Sequence, residues 1–242
     1  MEWTVRPKII VPIVERTQSE IAHVLPLLAR SDADIVEWRI DCFDSCDTAE
    51  VLAELAEITA VLGDIPVLCT VRTKAEGGRS ELSDADYLEL ISALGKSQLP
   101  TLIDVEFRHP LAAQAIDAAR ASGSLVVTSH HDLAGRLNHD DLLKLLAEMD
   151  VVADVAKVAV NPADEIDVAK ILLVSAEHSY ANEKPFILLA MGALGGITRL
   201  TGELFGSCAT FASLTEASAP GQLSVSQTKA GLDLLGSTLS PR

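Results

Sequence analysis

Short apolar, β-branched runs alternate along this chain with longer stretches of helical periodicity. Eight of the short runs read as strands: Ile9 to Val14, Ile35 to Asp41, Val67 to Arg72, Leu102 to Phe107, Leu125 to His130, Asp154 to Val160, Phe186 to Met191 and Ala209 to Leu214. Amphipathic patterns lie between most of them, over Thr48 to Leu62, Asp84 to Leu94, Leu111 to Ala121, His139 to Glu148 and Ala163 to Glu177. Gly63 and Gly123 stand where helices stop, and Asp140 suits a helical first turn. Eight strand–helix units in 242 residues predict an α/β fold, a (β/α)8 TIM barrel, with residues 1–242 as one domain. A doubly wound open sheet would need a Gly-rich phosphate turn after an early strand, and the chain has none. No linker, composition shift, repeat or low-complexity tract divides it.

Several strands carry charge where a core needs none. Strand side chains alternate between faces, so Glu37, Arg39 and Asp41 share one face while Trp38 and Ile40 share the other. The outer face of a barrel strand packs under helices, which sends the charged face inward, toward the C-terminal end where barrel active sites lie. By the same parity Thr70 pairs with Arg72, Asp104 with Glu106, and Ser129 with His131, leaving His130 on the opposite side. Asp104 and Glu106 read first as balance for internal positive charge. Lys157 lies within the sixth run. Burial there disfavours the ammonium, and a neutral amine attacks ketones to form a Schiff base. The bland alternative is a lysine that snorkels out or pairs with Asp154. The predicted mouth gathers Glu37, Arg39, Asp41, Arg72, Glu106, His131 and Lys157. Glu76 follows in a turn that ends in Gly77-Gly78. Glycines between Gly192 and Gly196 would let backbone N–H groups approach an anion, and Arg199 would grip a carboxylate. Residues 217–222 read as a mobile lid.

Bulk properties narrow the partners. The chain is 48% hydrophobic but only 4% aromatic, so its core is mainly aliphatic. Its formal net charge of −16 repels nucleic acid and anionic membranes, so any anionic substrate needs a local arginine cluster. Cys42, Cys46, Cys69 and Cys208 form no zinc-ligand pattern and read as reduced thiols of a cytoplasmic protein. No run suits a signal peptide or membrane span. The His130-His131-Asp132 string lacks a third ligand at a recognisable spacing, which argues against a metal.

From about Ile10 to Gln227 the chain resembles type I 3-dehydroquinate dehydratase, a Schiff-base enzyme of the shikimate pathway. The resemblance rests on Glu37-Trp38-Arg39-Ile40-Asp41, Thr70-Val71-Arg72 with Glu76-Gly77-Gly78, Ser129-His130-His131-Asp132, Lys157-Val158-Ala159-Val160, and the stretch from Arg199 to Gln222 with Gly202 to Ser207 and Ala217 to Gln222. It implies a (β/α)8 homodimer without metal or organic cofactor that converts 3-dehydroquinate to 3-dehydroshikimate. By that resemblance Lys157 forms the imine, His131 moves the proton and Glu76 orients His131. Glu37, Arg39 and Arg72 hold ring hydroxyls; Arg199, Ser218 and Gln222 take the carboxylate and lid contacts; Met191 and Phe211 line the pocket. Leu189 replaces a methionine common in relatives, a change of similar volume. His130 lies outside the family pattern. Two other readings use the same residues: a Schiff-base aldolase acting on a phosphorylated sugar, and a barrel that only binds a carboxylate metabolite.

Overall fold

A computed structural model describes residues 2–121, 123–214 and 222–239. The eight strands are β1 Lys8–Ile13, β2 Ile35–Arg39, β3 Val67–Thr70, β4 Leu102–Glu106, β5 Leu125–Asp132, β6 Val155–Val160, β7 Phe186–Ala190 and β8 Ala209–Phe211. Around them run α1 Gln18–Leu28, α2 Thr48–Leu62, α3 Asp84–Ser97, α4 Ala112–Arg120, α5 His139–Val152, α6 Glu165–Ala181, the short α7 Gly196–Leu200 and α8 Gly202–Phe205, and α9 Val225–Gly236. Neighbouring strands pair in parallel from β1 through β7, and β8 returns to the outer edge of β1. The gap between β7 and β8 is bridged by Cys208 N–H, which donates to Phe186 O at 2.8 Å. The result is a nearly closed eight-stranded barrel.

The helices begin where side chains satisfy their first N–H groups. Asp47 accepts from Ala49 and Glu50 at the start of α2, and Ser83 and Asp164 cap α3 and α6 in the same way. Gly63 ends α2 with φ +61°.

Alternation sorts the strand residues into two cores. Outward residues such as Val36, Trp38, Ile103 and Val105 pack under the first helices, and Val158, Phe186 and Leu188 pack under α5 and α6. Inward, each strand gives one member to an apolar floor: Ile10, Ile35, Leu68, Leu102, Val127, Val155, Ile187 and Ala209. Two residues further along, β2 to β6 change character to Glu37, Thr70, Asp104, Ser129 and Lys157, all buried, while β1, β7 and β8 present Pro12, Leu189 and Phe211. That two-residue step from floor to polar layer positions the site.

Four strand ends differ from the expected spans by two residues or more. The second turns into a 3-10 helix at Ile40–Cys42, the third stops at Thr70, the fifth runs on to Asp132, and the eighth stops at Phe211. One outward face is also notable. On α6, Ile166, Leu173 and Tyr180 are 65%, 51% and 86% exposed and recur every seven residues. No helix among the described residues is long and apolar enough to cross a membrane. All four cysteines are free.

Candidate active site

At the C-terminal mouth of the barrel lies a cavity of about 270 Å3. Glu37, Arg39, Arg72, His131, Lys157, Met191, Arg199, Phe211 and Gln222 all line it. A wider hollow of about 630 Å3 against α1 is bordered by mostly exposed residues such as Arg16, Glu20 and His23, and gathers no buried charge. Glu76 stands behind His131 rather than on the cavity wall. Ser218 and the rest of the expected lid through residue 221 lie outside the described residues. Beyond them, Gln222 precedes a Ser213–Ser224 bridge and the Ser224–Gln227 capping box of α9.

Lys157 sits mid-strand on β6 and is buried. Its Nζ lies 3.6 Å from Glu37 Oε1 and 3.6 Å from Asp104 Oδ2, and 4.6 Å from the centre of the Phe211 ring. The amine therefore has two carboxylates as charge partners, and an aromatic face closes its other side. Asp154, the partner weighed from sequence, belongs instead to Arg120 at 3.2 Å.

Arg72 is the hub beneath the mouth. Its Nη1 donates to Ser129 Oγ at 2.7 Å and faces Glu106 and Glu76 at 3.2 and 3.3 Å, and Nη2 lies 2.8 Å from Asp104. Burial opposes the charge of Asp104, but Arg72 and Lys157, with the Ser129 hydroxyl, hold its carboxyl down to about 2. Glu106 also accepts from Thr73 N–H and Oγ1–H, both at 2.7 Å, which pins the loop after β3. Arg39 grips Asp41 with two 2.7 Å contacts. Because the chain has left the strand at Ile40, Asp41 folds back on Arg39 and accepts from the backbone of Arg72 and Arg79.

Glu76 ends a 3-10 turn whose cap, Gly77, has φ +81°, a left-handed conformation that suits glycine. Its Oε2 lies 3.0 Å from His131 Nδ1 and its Oε1 3.0 Å from His130 Nδ1. Burial opposes the charge, but the two imidazoles and Arg72 outweigh it and lower the Glu76 carboxyl to about 2. An ionised carboxylate only accepts, so both Nδ1 atoms carry hydrogen. Burial, with Arg72 and Lys157, lowers His131 to about 4 against the pull of Glu76. His131 is thus neutral at pH 7, with an unprotonated nitrogen available as a base.

Arg199 completes the mouth. The Gly192-to-Gly196 stretch forms a helical turn leading into α7, rather than an open anion loop, and it carries Arg199 to the cavity. Among the described residues Arg199 has no carboxylate partner: Nη1 reaches Phe211 O at 3.5 Å and Nε has no hydrogen-bond acceptor. Burial pushes its guanidinium below the usual range. A buried, unneutralised guanidinium is a ready seat for an anion.

Three contributors make contacts that the sequence did not specify. Ser129 ties Arg72 to Asp104, accepting from one and donating to the other at 2.7 Å. Asp104, read as balance for internal positive charge, faces both Arg72 and Lys157. His130, assigned by parity to the far side, does stay off the cavity wall yet shares Glu76 with His131. Among the described residues no cluster of three or more potential metal ligands occurs.

Comparison with known proteins adds a sequence and a structural match. A sequence model described as Type I 3-dehydroquinase matches residues 9–238. A 3-dehydroquinate dehydratase of Syntrophotalea carbinolica is 40% identical over 95% of this chain and 92% of its own length, and one of Klebsiella pneumoniae is 39% identical over 94% and 92%. A crystal structure of a type I 3-dehydroquinate dehydratase from Clostridium difficile, described with covalent modified comenic acid, superimposes with a TM-score of 0.94. It is 33% identical and covers 98% of this chain and 95% of its own.

Proposed function

The chain belongs to the type I 3-dehydroquinase family, and from that premise we propose that Lys157, His131 and Glu76 carry out its chemistry through a covalent imine. The activity is that of a hydro-lyase: water leaves 3-dehydroquinate to give 3-dehydroshikimate, a step of the shikimate pathway.

Arg199, with Gln222 and Ser218, takes the substrate carboxylate, while Glu37, Arg39 and Arg72 order the ring hydroxyls. Lys157 Nζ attacks the ketone carbon, and loss of that oxygen as water leaves an iminium, an electron sink for the adjacent C–H bond. His131 Nε2 removes the proton, and the electrons pass into the C–N system as an enamine. Collapse of the enamine expels the ring hydroxyl, which leaves as water with the proton held by His131. Hydrolysis of the imine frees the product and restores Lys157. Glu76 keeps the imidazole in the tautomer this cycle needs. Met191 and Phe211 supply an apolar wall. The chemistry asks for no metal or organic cofactor.

One observation carries this reading: a buried lysine, a neutral histidine and an arginine with no carboxylate partner among the described residues face the same cavity. The covalent group named for the Clostridium difficile protein is in keeping with it. A lysine aldolase acting on a sugar phosphate uses a similar amine, but a single guanidinium beside an apolar wall suits a planar carboxylate better. The test is borohydride reduction in the presence of 3-dehydroquinate followed by peptide mass mapping. The expected result is an adduct on Lys157, with no adduct and no turnover in a folded Lys157→Ala variant. A variant that turns over at the wild-type rate removes Lys157 from the mechanism.

We further assign the protein to the cytoplasm and to a homodimer. The α6 stripe supports the dimer. A seven-residue spacing is its own complement in an antiparallel pair centred on Leu173. That pairing sets Ile166 against Tyr180 and brings Lys170 near Glu177, of opposite charge.

A further inference from the structure

Adjacent residues of a strand normally serve different surroundings, yet at the end of β5 two imidazoles converge on one carboxylate. His130 Nδ1 and His131 Nδ1 each lie 3.0 Å from a different oxygen of Glu76. His131 lines the cavity and His130 does not. Arg72 Nη1 approaches the oxygen that His131 uses, at 3.3 Å, so His130 is the partner that holds the other one.

That second hold matters because of where Glu76 comes from. Its backbone is a three-residue 3-10 turn, not a strand. The terminal torsion of a glutamate is broad and roughly two-fold, so a carboxylate held at one oxygen swivels. Held at both, it presents Oε2 to His131 in one place. We propose that His130 is a positioning residue for proton transfer: by donating Nδ1–H to Glu76 Oε1 it locks the carboxylate that aims His131 Nε2 at the substrate. His130 thereby acts on the step His131 performs, and not on the attack by Lys157, whose amine contacts Glu37 and Asp104 instead. The inference rests on the roles proposed above for Lys157 and His131.

The experiment compares wild type with His130→Ala, His130→Leu, His130→Asn and His131→Ala. It measures kcat, KM, melting temperature, borohydride trapping, and the isotope effect with substrate deuterated at the carbon beside the ketone. His130→Ala should lower kcat on the order of 10-fold, short of the ~10²-fold loss that accompanies an ångström of misplacement. KM should stay within about twofold, the isotope effect should rise and trapping on Lys157 should persist. His130→Leu fills the volume without a donor and should behave alike if the alanine variant is unstable. The side-chain amide of His130→Asn donates from nearly the same place and should restore most of kcat. Wild-type kcat in both His130→Ala and His130→Leu overturns the inference, as does equal impairment of the alanine and asparagine variants. Wild-type turnover by His131→Ala would instead overturn the proposed mechanism itself, so the two failures are separable.

Discussion

Burial governs the working range of His131. Its lowered value of about 4 keeps the imidazole unprotonated well below the ordinary histidine range. The acid limb of kcat/KM is therefore expected below pH 6.5, and a pH–rate profile with its limb at or above that value refutes the environment described. Stability follows with the same sign. On unfolding, His131 regains its ordinary affinity for protons, so the unfolded chain takes up a proton as pH falls from about 6.5 toward 4 while the native state does not. Glu76, lowered to about 2, adds its loss as pH falls from about 4.5 through 2. Lys157, His131 and Arg199 were legible as candidates because each is a charged or titrating residue at the wrong place for a core. Parity correctly kept His130 off the cavity wall but could not show the Glu76 contact, and it could not show that Asp41 turns back on Arg39. Asp41 follows the break into a 3-10 turn, and Glu76 reaches over the rim to both histidines.

At the level of elements, alternation was the readable signal. The eight strands were recognisable from apolar runs, and the inward positions of β2, β4, β5 and β6 followed from counting by two. What could not be counted was the distance between loops. Gly78 illustrates this. A Cβ there would lie 2.1 Å from Arg72 O, so the loop after β3 folds directly onto the backbone of the hub arginine. Gly78→Ala must push that loop outward, taking Thr73 from Glu106 and Glu76 from His131. The expected cost is on the order of 2 kcal/mol in denaturant unfolding, with a loss of kcat larger than the loss of stability implies. An alanine variant with unchanged stability and kcat would show that the loop has slack. The Gly192-to-Gly196 segment shows the converse: a glycine-rich stretch after β7 whose shape the sequence did not give is a helical turn, and it places Arg199 at the cavity.

For the molecule as a whole, the net charge of −16 opposes self-association, so a dimer needs a surface whose apolar contact outweighs it. The stripe on α6 is the surface proposed for it. Leu173→Glu would place two carboxylates face to face at the centre of the antiparallel pair. Sedimentation should show a shift to monomer of at least ~10-fold in dissociation constant, and a variant as dimeric as the wild type would move the interface elsewhere. The stripe is present in the sequence, but helical periodicity alone does not tell the side of α6 that faces the barrel from the side that faces outward.

Arg199 has one more consequence, for heat rather than for chemistry. Among the described residues it has no counter-charge; a cation buried in that way weakens the empty fold, and any planar carboxylate that seats beside it removes that weakness by mass action. The residue proposed to grip the substrate is thus one the unliganded protein would tolerate losing. In plain buffer Arg199→Met should melt higher than the wild type, by roughly 3 °C for about 1 kcal/mol in a chain of this length. With a saturating carboxylate ligand the order should invert, because only the wild type gains. Melting curves that keep the same order in both conditions would mean that the guanidinium is already neutralised within the fold.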